Sequence, residues 1–150
     1  MPALPGDPSD HMNALLKVLL PFARDSVGDH GGFFPFGASL APDGQLEAAA
    51  AYEADEGDDE PTPDDVLATI RDGLRERAGR DELIATGVCS GVTIEEGEFP
   101  LGIRVELEHR DGEPITCVVP YRNDGDGYEW GAPFSFPGEH RIWDGAVPST

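Results

Sequence analysis

Two short segments in the last third of the chain limit its fold more than any other feature. Ile103, Val105 and Leu107 alternate with Arg104, Glu106 and Glu108, and Ile115, Cys117 and Val119 repeat the same period. A period of two places alternate side chains on opposite faces of a strand, so each segment reads as a half-buried antiparallel strand. Arg110-Asp111-Gly112 between them suits a three-residue loop. That loop pairs Leu107 with Ile115, Val105 with Cys117 and Ile103 with Val119. A two-residue loop at Asp111-Gly112 would set Leu107 opposite Thr116 and break the match of apolar faces. The charged face of Arg104, Glu106 and Glu108 is expected to be solvated.

The same logic recurs nearer the N-terminus. Phe34, Phe36, Ala38 and Leu40 alternate, then Leu46, Ala48, Ala50 and Tyr52, with Pro42-Asp43-Gly44 between. A three-residue loop with Gly44 in the left-handed region pairs Leu40 with Leu46 and Ala38 with Ala48. The Ala48–Ala51 run leaves a helical reading open. Two helices flank this hairpin. Met12, Leu15, Leu16, Leu19, Ala23 and Val27 recur at helical spacing behind a cap at Ser9 and Asp10. Pro21 is expected to kink that helix and Gly28 to end it. Thr62-Pro63-Asp64-Asp65 is a helix start, with a capping hydroxyl, proline at the first position and two carboxylates at the positive end of the dipole. Val66, Leu67, Ile70, Leu74 and Ala78 form its apolar face, and Gly79 is the expected C-cap. Leu83 to Ile94 reads as a strand interrupted by Gly87 and Gly91. From Tyr128 onward irregular chain or a short edge strand is expected. The order is α-β-β-α-β-β-β. It predicts an α+β fold: a five-stranded antiparallel sheet with two main helices packed on it.

One domain is expected over 9–150, after a flexible tail at 1–8 and with an acidic loop at 53–61 (Glu-Ala-Asp-Glu-Gly-Asp-Asp-Glu-Pro). The net charge is −20, with one lysine and nine arginines. Such a surface repels phosphate backbones and anionic lipids, so neither nucleic acid nor membrane is an expected partner. Halophilic or high-GC composition accounts for much of that acidity without any function. Its distribution is uneven: Asp25 to Ile70 holds twelve carboxylates and no lysine or arginine. The start, Met1-Pro-Ala-Leu-Pro-Gly-Asp-Pro, has neither the basic region nor the apolar run of a signal peptide, and Cys89 and Cys117 make no disulfide framework. A cytoplasmic location is expected.

No catalytic, metal or cofactor motif stands out. His11, His30, His109 and His140 lack the one-turn spacing of a helical metal pair. Asp55, Glu56, Asp58, Asp59 and Glu60 lack the alternation and closing glutamate of a calcium loop. Ser90 in Cys89-Ser90-Gly91 lacks a nucleophile elbow. An enzyme site would require His30, His109 and the Glu106/Glu108 face to converge in one cleft. No cofactor is therefore expected, and the reading leans away from an enzyme.

Two stretches are distinctive: Gly32-Phe33-Phe34-Pro35-Phe36-Gly37-Ala38, and Val105-Glu106-Leu107-Glu108-His109-Arg110-Asp111-Gly112 running on to Val119-Pro120-Tyr121. Together they resemble a loose group of small uncharacterised bacterial proteins that pairs a Phe-x-Pro-Phe-Gly-Ala strand with a Leu-Glu-His-x-x-Gly…Pro-Tyr hairpin. The resemblance covers about a third of the chain and implies an association with toxin–immunity genes. The element order is similar to that of roadblock, longin and profilin-like domains, which argues for a fold and not a function. Phe34, Phe36 and Tyr121 are most simply core, the alternative being an exposed aromatic rim of Phe33, Phe36 and Tyr121. The expected function is a non-catalytic interaction domain, immunity-like or regulatory. A basic protein partner would be met by the acidic loop residues Asp55, Glu56, Asp58, Asp59 and Glu60 and by that aromatic rim. The alternatives are an assembly domain that homodimerises through a sheet edge or helix, and a small metal- or ligand-dependent enzyme.

Overall fold

In the computed structural model, which describes residues 7–30, 35–49, 63–94, 99–123, 125, 127–139 and 141–143, every strand pair is antiparallel. The elements run α1 (Pro8–His30), β1 (Phe36–Leu40), β2 (Leu46–Ala49), α2 (Pro63–Gly79), β3 (Ala85–Thr93), β4 (Leu101–His109), β5 (Ile115–Asn123), β6 (Tyr128–Trp130) and β7 (Phe134–Pro137). The sheet order is β2-β1-β3-β4-β5-β6, with β7 also paired to β5. The chain is therefore α+β with two helices on an open antiparallel sheet. Seven strands replace the expected five, because the segment after Tyr128 supplies two. β6 and β7 lie end to end along one edge of β5. Trp130 faces Tyr121 and Phe134 faces Val118, so four steps on one strand meet three on the other. One extra residue is accommodated at Gly131-Ala132-Pro133, the signature of a β-bulge.

Both hairpin registers follow from their loops as expected. Leu40 pairs with Leu46 and Ala38 with Ala48. Gly44 takes a φ of 92°, a region open to glycine at no steric cost. Leu107 pairs with Ile115, Val105 with Cys117 and Ile103 with Val119. Gly112 does not repeat the role of Gly44, because positive φ among the described glycines occurs only at Gly44 and Gly125. Glycine is required at 112 for space: a Cβ there would lie 2.6 Å from Cβ of Pro8.

The helix termini differ in detail from expectation. α1 begins at Pro8, and its cap is Asp7. Asp10 N–H donates to Asp7 Oδ1 (3.0 Å) and Asp7 N–H donates to Asp10 Oδ2 (3.2 Å), a reciprocal capping box with proline at the first helical position. The expected tail therefore gives up Asp7 and Pro8 to the helix. α1 continues through Pro21 and past Gly28 to His30. Pro21 lies on the exposed side, where water can serve the Lys17 carbonyl it leaves unbonded. α2 spans Pro63–Gly79 with the expected apolar face. Its C-terminus is closed by Asp81 rather than Gly79. Asp81 takes φ 60°, Glu82 N–H reaches Arg77 O and Asp81 N–H reaches Ala78 O, the hydrogen-bond pair of a Schellman motif.

The helices cover opposite faces of the sheet. Leu15, Leu19, Ala23 and Val27 of α1 pack on Ala38, Leu40, Ala85, Cys89, Ile103, Val105, Leu107, Val119 and Tyr121. Gly87 belongs to this face, and β3 runs through it uninterrupted because Leu19 fills the space above it. Val66, Leu67, Ile70, Leu74 and Ala78 of α2 pack on the other face, with Leu83, Val88, Ile142 and Trp143. Covering both faces overturns one expectation. The charged side of β4 is not solvated: Glu108 is 3% exposed where Arg141 and Ile142 are bonded to it, and Glu106 is 11% exposed beneath Arg71 of α2. No described helix is long and apolar enough to cross a membrane.

Candidate functional site

An open cleft of about 550 Å³ lies where the first turn of α1 meets the β4–β5 loop and β7. Its apolar lining comes from Pro8, Met12, Pro114, Ile115, Phe136 and Pro137, and Asp7 and Glu113 contribute carboxylates. The capping box sets one wall by fixing where the helix begins. The loop packs Gly112 against Pro8 and sets the other. Phe136 leads out of the cleft to Phe134, two residues along the same strand face. Their rings stack at 6.2 Å, and they are 45% and 48% exposed. α2 packs chiefly on β1 and β3, and β7 lies three strands away from β3 across the sheet.

Behind the cleft, His11 of α1 and His109 at the end of β4 are joined. His11 Nδ1 and His109 Nε2 are 2.9 Å apart, both residues are buried, and the rings stack at 5.1 Å. Asp111 N–H donates to His109 Nδ1 at 2.9 Å. A neutral His109 therefore carries its proton on Nε2 and donates it to His11 Nδ1. Burial holds the His109 pKa below 6.5, the neighbouring His11 pushes the same way, and Asp111 opposes.

A second polar group lies on the opposite side of the sheet. Glu106 accepts Arg71 Nη2 on Oε1 and Arg141 Nε on Oε2 (2.8 Å), and Arg104 Nη2 lies 4.0 Å from Oε1. Glu108 accepts the backbone N–H groups of Arg141 (2.9 Å) and Ile142 (3.0 Å), which straps residues 141–143 to β4. The two glutamates are thus anchors for chain and arginine. His109 projects from the other face, so the sheet separates it from Glu106 and Glu108. Among the described residues no group of three His, Cys, Asp or Glu side chains could hold a metal. Burial pushes the thiol pKa of Cys89, and of half-buried Cys117, upward and away from reactivity.

Of the residues singled out for partner binding, Tyr121 is 5% exposed and packs against Trp130 and Tyr128, so it is core and not rim. Phe36 is half-buried against the α1 core, edge-on to the exposed Phe22 at 4.9 Å. Phe33, Asp55, Glu56, Asp58, Asp59 and Glu60 lie outside the described residues, as do Phe34 and His140. Sequence reasoning missed Phe134, Phe136 and the His11–His109 pair. Phe-Ser-Phe between prolines did carry a period-two signal, but only pairing to β5 assigns those rings to an exposed face.

β7 has no partner strand on its far side among the described residues. Gly138 N–H donates to Pro114 O, which sets the phase of this pair: Phe134 and Phe136 turn their backbone groups to β5, and Ser135 and Pro137 turn theirs outward. Proline at one of these outward positions offers no donor, a device that blunts edge-to-edge pairing. No protein-family model, curated protein or solved structure matches the chain.

Proposed function

We propose that this chain is a non-catalytic protein-interaction domain, immunity-like or regulatory, whose partner presents an apolar anchor flanked by lysine or arginine. The observation that carries the reading is the exposed Phe134–Phe136 stack running into an apolar cleft with carboxylates at Asp7 and Glu113. Exposed aromatic side chains beside a pocket are the usual anchors of binding energy at interfaces. The carboxylates add selectivity for a cation next to the anchor, and the net charge of −20 speeds encounter with a basic partner. The motif resemblance to immunity-associated proteins supports the same class. The blunted β7 edge favours side-chain docking over strand addition there.

A displayed random-peptide library selected against the full chain tests this. Selected sequences should combine a large apolar residue with adjacent Lys or Arg. Their binding should weaken at least tenfold in Phe136→Ser and fall as salt is raised. Selection of acidic or featureless peptides, or retention of full affinity by Phe136→Ser, would overturn it.

A further inference from the structure

Four buried side-chain polar atoms have no hydrogen-bond partner among the described residues: Arg71 Nε, Thr86 Oγ1, Ser90 Oγ and Arg104 Nε. All four belong to the layer between α2 and the sheet. Native interiors leave few such groups, so a set gathered on one side calls for an explanation. Two are guanidinium N–H groups, which can only donate, and two are hydroxyls, which each have a proton to donate. The layer is short of acceptors.

The charge inventory agrees. Glu106 serves three guanidinium groups, and Arg104 reaches it only at 4.0 Å. Arg141 has Glu139 as a second partner at 2.9 Å, and Glu108 accepts the N–H groups of Arg141 and Ile142. Arg104 donates no hydrogen bond to any described carboxylate. Ser90 and Arg104 are directly opposed on β3 and β4, which places their Cβ atoms about 5 Å apart. Arg71 comes down from α2 onto the same Glu106 oxygen that Arg104 approaches. Thr86 is four residues back along β3, about 13 Å away, and stands apart from this group.

We propose that Ser90, Arg104 and Arg71 form a binding site for a small oxyanion, a phosphate or carboxylate group, beneath α2. The Ser90 hydroxyl and the two Nε–H groups would donate to it, satisfying three otherwise unpartnered donors with one ligand. The three donor atoms are themselves covered, so an anion reaches them as the Arg71 and Arg104 side chains, 18% and 32% exposed, swing aside. The chain's overall negative charge opposes anions at long range, but at about 0.1 M salt charges more than roughly 10 Å away are largely screened. Within that range the Glu106 carboxylate opposes an anion, but it is shared by the guanidinium groups of Arg71, Arg104 and Arg141, which outnumber it.

The test is thermal unfolding of the full chain during titration with sodium phosphate and, in a parallel arm, sodium acetate. Sodium chloride keeps ionic strength constant. The melting temperature should rise and saturate in at least one arm, as for a ligand that binds only the folded state. The arm that saturates identifies the phosphate or the carboxylate. Ser90→Ala removes a hydroxyl with no partner, so it leaves the fold intact, and it should weaken the apparent affinity about tenfold. Arg104→Gln should abolish saturation, while Arg122→Gln, in an exposed pair with Glu129, should leave it unchanged. An unsaturating rise in both arms, or equal responses from the parent, Ser90→Ala and Arg104→Gln, would mean the donors are simply hydrated and would overturn the proposal.

Discussion

His11 and His109 are 98 residues apart in sequence, yet their ring nitrogens lie 2.9 Å from one another in a buried hydrogen bond. The bond joins the first turn of α1, which lines the cleft, to the end of β4, just before the loop that forms the cleft's other wall. It has a defined pH dependence. Burial, and then His11, lower the His109 pKa from 6.5 in the folded state. Below 6.5 the unfolded chain binds a proton that the folded chain does not, so stability rises with pH through that region. The contribution is fully present above pH 6.5 and is lost as pH falls through the folded-state pKa. Urea unfolding between about pH 5.5 and 7.5, above the range where ordinary carboxylates titrate, should show this loss on acidification. His109→Gln should flatten the slope. A parent protein whose stability does not change over that interval would contradict the assignment.

Leu19 and Gly87 are a matched pair. A methyl group built on Gly87 would lie 2.5 Å from Leu19 Cδ1. Gly87→Ala should cost about 1–3 kcal/mol through overpacking, and Leu19→Ala about 2–5 kcal/mol through the cavity it opens. The double variant should cost less than the two together by about 1 kcal/mol or more, because the added methyl enters space that Leu19 vacates. Strict additivity in denaturant unfolding would show that the two residues do not touch.

Glu108→Ala should release residues 141–143. The buried carboxylate holds two backbone N–H groups, each hydrogen bond to a charged group contributing about 1.5–3 kcal/mol. Ile142 and Trp143, 3% and 6% exposed, depend on that hold. The expected result is a red shift of Trp143 fluorescence, read in a Trp130→Phe background, and faster proteolysis after Arg141. An unchanged spectrum would mean that apolar contact with α2 is sufficient to keep the strap in place.

Asp81→Gly should stabilise the protein by about 0.5–1 kcal/mol. Asp81 holds φ 60°, which costs a side-chain-bearing residue and costs glycine nothing. It also sets a carboxylate at the negative end of the α2 dipole. A melting temperature unchanged or lower would indicate that the aspartate makes a compensating interaction.

What the chain's local chemistry determined was its elements and their registers. Spacing of 3.6 picked out the buried faces of α1 and α2, and spacing of two picked out β1, β2, β4 and β5. The three-residue loops at 42–44 and 110–112 then left one register in which apolar faces match. These are short-range properties, so they are visible in sequence. Tertiary structure decided which faces are covered. Alternation along β4 separates Glu106 and Glu108 from Val105 and Leu107, but cannot say that α2 and residues 141–143 will close over the charged side. Nor can it bring His11 to His109, or leave Phe134 and Phe136 uncovered at the far end of the sheet. Those outcomes depend on where a helix of given length comes to rest on a sheet of given width. The same long-range packing turned a predicted solvated face into a buried layer of arginines and glutamates. It also decided between the two readings of Tyr121, core or exposed rim, in favour of the core.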